Sequence, residues 1–208
     1  MTYEELIALL KSAEDYRAID ERREEIAELI PAVSVEFDYD QNNKYHQYDL
    51  WEHSVRVTAG LERNLPDDIL YLAALLHDIG KPASMVHGDD PSDNYSHFPG
   101  HGKKGALIVS NEVIPKLEMD GIHHFNGEEK KRLLLYVEHH DDRIPDEEKK
   151  LERNIKACGY DLYVGLIKLE ISDANEHIDL PPIREKKERL GRALALAINK
   201  KEVYSIEK

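Results

Sequence analysis

Apolar residues recur along most of this chain at helical spacing. Thr2 and Glu5 form a capping box ahead of Leu6, Ile7, Leu9 and Leu10, which predicts a short first helix. Ile19, Ile26, Leu29 and Ile30, set among charges, predict a second helix over 16–30, stopped by Pro31. Val33 to Tyr39 alternates but has no obvious partner strand, and it reads as an extended loop. Helices follow over 49–64, with Leu50, Val55, Val57 and Leu61 inward, and over 69–79 after Pro66-Asp67-Asp68. The second of these is apolar almost throughout until His77-Asp78 and ends at Gly80-Lys81-Pro82, as a buried helix would. Residues 83–101, rich in Pro, Ser, Asp, Asn and Gly, form the longest irregular stretch, and such a loop is more often functional than idle. Further helices are predicted over 103–114, 128–140, 147–157, 162–177 and 183–200, with no internal repeat and no low-complexity tract. The expectation is an all-α chain of roughly eight helices with short connections.

Composition narrows the classes. The 208 residues carry 28 Lys and Arg against 42 Asp and Glu, a formal charge of −14. One domain is the default at this length. The acidic balance argues against an extended nucleic-acid surface and against docking on an anionic membrane. The longest apolar runs, 71–76 and 193–198, fall far short of the ~18 residues a membrane span needs. The start, Met1-Thr2-Tyr3-Glu4-Glu5, lacks a basic leader, and the single cysteine, Cys158, excludes an internal disulfide or a CxxC site. A soluble cytoplasmic protein is expected, monomer or dimer.

Eleven histidines beside one cysteine change the picture, because several of them fall at helix ends or mid-helix. His53 lies in the helix from 49, His77-Asp78 ends the buried helix, and His101 precedes the next. His139-His140-Asp141 ends the helix 128–140, and Asp173 lies in 162–177. Imidazole with carboxylate and no thiolate is a ligand set for Mn, Fe, Zn or, with more oxygen, Mg. An aspartate after so apolar a helix is expensive to bury unless it is paired or metal-bound. The plainer alternative is His77 answering the dipole at its helix C-terminus.

Five ordered blocks carry a family resemblance. Glu52-His53-Ser54, then Ala73-Ala74-Leu75-Leu76-His77-Asp78-Ile79-Gly80-Lys81-Pro82, resemble the HD superfamily of metal-dependent phosphohydrolases. Gly100-His101-Gly102-Lys103-Lys104-Gly105-Ala106, Val137-Glu138-His139-His140-Asp141 and Ser172-Asp173-Ala174 follow in the family's order. The run Gln41 to His53 is most similar to the HD domain of bacterial tRNA nucleotidyltransferases. The likeness covers about 30–195, which implies a single HD-domain helical bundle over 1–208 with an N-terminal helical extension over 1–30. No Gly-Tyr-Pro follows His139-His140, which sets the chain apart from the cyclic-di-GMP branch. Ile79-Gly80-Lys81 stands where (p)ppGpp hydrolases carry a Glu-Asp pair. No nucleotidyl-transfer head precedes the blocks, so a stand-alone HD domain is expected.

The resemblance implies a ligand set and an activity. His53, His77, Asp78 and Asp173 match the first metal site, with Asp78 as the bridging carboxylate if a second ion binds. His101 and His140, with His139 beside them, match the second. One or two divalent ions are implied, among Mn, Fe, Mg, Co, Ni and Zn. The implied reaction is hydrolysis of a phosphate ester by metal-activated water. Asp78 would stand at its centre, and a second ion, or lysines such as Lys81 and Lys104, would hold the phosphoryl oxygens. The substrate is small and nucleotide-like: a phosphomonoester, a 2′,3′-cyclic phosphate or a dinucleoside polyphosphate. The alternatives are a metal- and nucleotide-binding sensor without turnover, and a di-iron oxygenase on the same scaffold. Among the remaining histidines, His46 could line the site mouth but reads as a turn residue, and His177, one helical turn after Asp173, could support it but reads as solvent-exposed. His87, His123 and His124 read as surface. Cys158 reads as a structural thiol and Trp51 as core packing.

Overall fold

The computed structural model describes residues 1–88 and 92–201, and these are mostly helical. In chain order the helices are α1 (Tyr3–Ser12), α2 (Arg17–Asp20), α3 (Arg23–Leu29), α4 (Leu50–Ala59), α5 (Asp68–Leu76) and α6 (Lys81–Ser84). Then come α7 (His101–Ile108), α8 (Ile114–Met119), α9 (Gly127–His139), α10 (Glu148–Cys158), α11 (Tyr160–Asn175) and α12 (Pro181–Asn199). That is more segments than the roughly eight expected: two predicted helices are divided, and α6 forms a short helix at Lys81-Pro82, where only the end of the preceding helix was expected. The 16–30 helix breaks at Glu21-Arg22 into α2 and α3, with Asp20 tied to α4 by the Trp51 indole N–H at 2.9 Å. The 103–114 helix starts earlier, at His101, widens into a π turn over Val109–Val113 and continues as α8. Pro115 has no N–H for the carbonyl one turn back, and a wider turn accommodates that loss.

Two stretches read as loop are structured. Pro31–Glu36 is a 3₁₀ helix rather than an extended loop, started by its proline. Its buried residues Val33 and Glu36 are three apart, the period of that helix, so the apparent alternation misled. Inside 83–101, Val86–His87 (β1) pairs antiparallel with Ser96–His97 (β2). Residues 89–91 of that loop lie outside the described residues. The pair is fastened to the 40–48 segment: Ser96 N–H donates to Asn42 O at 2.9 Å, and Asn43 Nδ2 to Ser96 O at 3.0 Å.

α5 is the axis. All of Ile69 to Leu76 is buried, and α1, α4, α9 and α11 pack around it. One apolar cluster gathers α1, α3, α4, α5, α8 and α9; a second joins α10, α11 and α12 through Leu151, Ile155, Ile167, Leu190 and Ala193. Close backbone approach brings the histidine-bearing ends together. A Cβ on Gly80 would lie 2.1 Å from His101 O and 2.4 Å from Gly105 N, and one on Gly102 would lie 2.5 Å from Glu138 O. Only glycine lets the end of α5, the start of α7 and the end of α9 meet this tightly. Among the described residues no helix is long and apolar enough to cross a membrane.

Candidate metal centre

Asp78 sits at the bottom of a pocket of about 580 Å³ and is 2 % exposed. Its two oxygens face different pairs of histidines. Oδ2 lies 3.1 Å from His77 Nε2 and 3.4 Å from His53 Nε2; Oδ1 lies 3.3 Å from both His101 Nε2 and His140 Nε2. Asp173 joins the first pair, with Oδ1 3.2 Å from His53 Nε2 and 3.9 Å from His77 Nε2. Two groups that could hold a metal therefore share Asp78: His53-His77-Asp78 and Asp78-His101-His140.

The same local device orients three of the imidazoles. Each ring donates Nδ1–H to the carbonyl three residues back: His77 to Ala74 O (2.8 Å), His101 to Phe98 O (2.9 Å) and His140 to Val137 O (2.8 Å). A carbonyl only accepts, so in the neutral ring the proton is on Nδ1 and the Nε2 lone pair points into the cluster. The consequence is a concentration of unshared electron pairs. His101 and His140 bring their Nε2 atoms within 3.0 Å of each other. The fully buried His77 Nε2 faces Asp78 without a hydrogen bond. Such an arrangement requires a cation or added protons between the groups, so this donor set fits a divalent metal.

Electrostatics agree. Burial alone would raise the Asp78 carboxyl, yet His77 and Lys81, with His101 and His140 facing it, hold it well below the usual carboxylate range. Asp173 is likewise held down against burial by His177, Lys186 and His53. Burial pulls His53 down to about 4 and lowers His140, which keeps both neutral and able to ligate. His77 and His101 shift upward despite burial, because Asp78 faces each of them.

Not every expected residue belongs to the centre. His139 does not: it lies a helical step of about 100° from His140, is half-buried, and binds Asp142 through Nδ1 at 2.7 Å. Lys104 points to solvent and its neighbour Lys103 lines the pocket instead. Lys81 is in place but committed. Its ammonium contacts Asp78 Oδ2 (2.6 Å), Gln41 Oε1 (2.7 Å) and His46 Nε2 (3.3 Å), which uses its three donors. It therefore secures Asp78 rather than reaching for a phosphoryl oxygen.

Other residues surround the centre. His46 is packed edge-on against His53 and beside His177, and burial with Lys81 nearby keeps it neutral. His177 is half-buried rather than solvent-exposed and donates Nδ1–H to Asp173 O at 2.8 Å. His123 stacks on Tyr3 at 3.8 Å, whereas His87 and His124 are exposed as expected. Lys186 of α12 reaches Asp173 Oδ2 at 3.2 Å from the far wall. Glu170 and Glu36 are buried carboxyls, each with an oxygen lacking a partner, and burial raises both above the usual range. Glu170 could have been noticed as a charge three residues before Asp173 on an apolar stretch. Nothing local marks Lys186 among Arg184, Glu185 and Lys187.

Comparison with known proteins agrees with this geometry. The model of the HD domain family matches residues 50–164. An A-adding tRNA nucleotidyltransferase of Deinococcus radiodurans is 30% identical over 111 residues, 52% of this chain and 24% of that protein. A CC-adding tRNA nucleotidyltransferase of Thermus thermophilus is 33% identical over 110 residues, 52% of this chain and 23% of that protein. A multifunctional CCA protein of Nitrosococcus oceani is 31% identical over 85 residues, 40% of this chain and 20% of that protein. The chain thus spans less than a quarter of each of these relatives. No solved structure matches it at a significant level. The family match covers more than half of the 208 residues and takes in His53, His77, Asp78, His101 and His140: the chain belongs to the HD domain family.

Proposed function

We propose that this chain is a metal-dependent phosphohydrolase that cleaves a phosphate ester of a small nucleotide-like substrate. One observation carries the reading: each oxygen of Asp78 faces its own pair of histidines, as a carboxylate bridging two ions would. His53, His77, Asp78 and Asp173 would hold one ion, and Asp78, His101 and His140 the second. Ions held there supply Lewis acidity at a phosphoryl oxygen and acidify water to a nucleophile at neutral pH.

The chain's own residues do the rest. Three backbone carbonyls fix the imidazole tautomers, and Lys81 keeps Asp78 ionised and aimed. Phe98 and Tyr45 line the pocket and give a base or sugar an apolar surface away from the charged floor. The volume suits one nucleotide better than a folded polynucleotide. The tRNA-related names of the relatives support including RNA ends among the substrates tested.

The test is a panel of phosphomonoesters, 2′,3′-cyclic nucleotides, dinucleoside polyphosphates and short RNA ends with Mn²⁺, Mg²⁺, Fe²⁺, Co²⁺, Ni²⁺ or Zn²⁺. Metal-dependent release of phosphate or nucleotide is expected, abolished together with metal binding in Asp78→Ala. Full activity in a folded, metal-free Asp78→Ala protein would overturn the reading. Oxygen consumption by an iron-loaded protein that hydrolyses nothing would replace it with an oxygenase.

A further inference from the structure

Three lysines line the pocket, and they differ in what their ammonium groups have left to give. Lys81 has all three donors committed to Asp78, Gln41 and His46. Lys103 lies exposed at the mouth. Lys186 is the exception on the far wall. Its side chain is only 16 % exposed, and it makes one hydrogen bond, to Asp173 Oδ2 at 3.2 Å. Asp141 Oδ1 at 3.5 Å attracts it and Glu170 Oε2 lies 3.9 Å away, neither engaging a donor in a hydrogen bond. An ammonium has three donors, so two remain on a group whose position is already set.

Two further features bear on what those donors meet. Asp173 turns Oδ1 toward His53 and Oδ2 toward Lys186, so the lysine can stay on Oδ2 while Oδ1 serves the metal cluster. The pocket lining is acidic without metal, with Asp78, Glu138, Asp141, Asp142 and Asp173 against the three lysines. A dianionic group entering there needs bound cations on the floor and a positive charge on the wall. Burial keeps Glu170 protonated at neutral pH, which leaves the Lys186 charge uncancelled from behind.

We infer that Lys186 is the phosphate-anchoring residue of this pocket, donating its two uncommitted N–H groups to substrate phosphate oxygens from the α12 wall. The inference deepens the hydrolase reading and rests on it. It places the phosphate between the histidine floor and the start of α12, where Pro182 and Ile183 adjoin the lysine.

The experiment titrates the Mn²⁺-loaded protein with inorganic phosphate by calorimetry, for the wild type, Lys186→Met and Lys186→Arg, with metal content measured on each sample. Loss of a charged hydrogen-bonding group predicts phosphate binding weakened about tenfold or more in Lys186→Met at unchanged metal content, with Lys186→Arg keeping most of the affinity. Phosphate binding within about twofold of wild type in metal-loaded Lys186→Met would overturn the inference and leave the hydrolase reading standing. A wild type that binds Mn²⁺ but neither binds phosphate nor hydrolyses any ester overturns both. Should Lys186→Met fail to fold, Asp141→Asn decides. Removing the exposed carboxylate that competes for Lys186 should tighten phosphate binding more than Asp142→Asn, whose carboxylate pairs with His139. Equal effects of the two would overturn the inference.

Discussion

Replacing Glu170 by glutamine should stabilise the metal-free protein at and above neutral pH, and its effect should grow more favourable as pH rises. Glu170 is 1 % exposed on α11, its Oε1 has no partner, and its Oε2 lies 3.9 Å from an ammonium already bonded to Asp173. Burial raises its carboxyl from the ordinary 4.5 to about 9, with Lys186 opposing the shift. Above pH 4.5 the unfolded chain has lost this proton while the folded chain keeps it until about pH 9. The unfolded state then binds fewer protons, so the contribution of Glu170 to stability falls as pH rises through that window. At pH 7 the gap from the ordinary value corresponds to about 3 kcal/mol. Glutamine has no proton to lose but must leave an amide donor where Oε1 now stands, a roughly constant cost of about 1–3 kcal/mol.

The pH dependence separates the two effects. Urea unfolding followed by circular dichroism, in chelator at pH 5, 6, 7 and 8, should show Glu170→Gln gaining on the wild type by about 1.4 kcal/mol per pH unit. A difference flat to within about 0.5 kcal/mol across that range would refute the reasoning, because the carboxyl would then be ionised in the folded state too.

Two other outcomes follow from the geometry of the centre. Gly80→Ala would drive a Cβ into His101 O and Gly105 N, both backbone atoms, so α7 must move away from α5. It should cost about 1–3 kcal/mol in thermal or urea unfolding and lower the metal content below that of wild type, and unchanged metal content would contradict the close-approach argument. His139→Ala and His140→Ala, one residue apart, should behave oppositely: elemental analysis should show full metal in the first and loss in the second. Equal losses would put His139 back in the cluster.

The helical class and most of the centre were legible in the chain because both depend on local signals. The apolar run 69–76 had to be buried, and His77-Asp78 at its end had to lie inside with it. The centre was legible through the family order of His53, His77, His101, His140 and Asp173. What escaped depends on contacts between distant segments. His46 was indistinguishable from a turn histidine until the 40–48 segment was fastened to β2. Lys186 and Glu170 acquire their roles only when α12 lies on α11; Lys186 is surrounded in sequence by ordinary helix-surface charges, and Glu170, between Leu169 and Ile171, has no partner nearby in sequence to explain its burial. Lys104 and His139 failed for the opposite reason. Each adjoins a residue at the pocket, and a helix turns adjacent side chains about 100° apart, so a dipeptide motif cannot say which of its two members faces the site.

Metal stoichiometry tests the central claim that Asp78 joins two ion sites in one centre. Elemental analysis of the purified protein, loaded with Mn²⁺ and desalted, should give about two ions per chain for the wild type. His53→Ala and His140→Ala, each disabling one side, should retain about one, and Asp78→Ala none. A wild type that takes up a single ion at saturation, or an Asp78→Ala protein that still holds two, would contradict it.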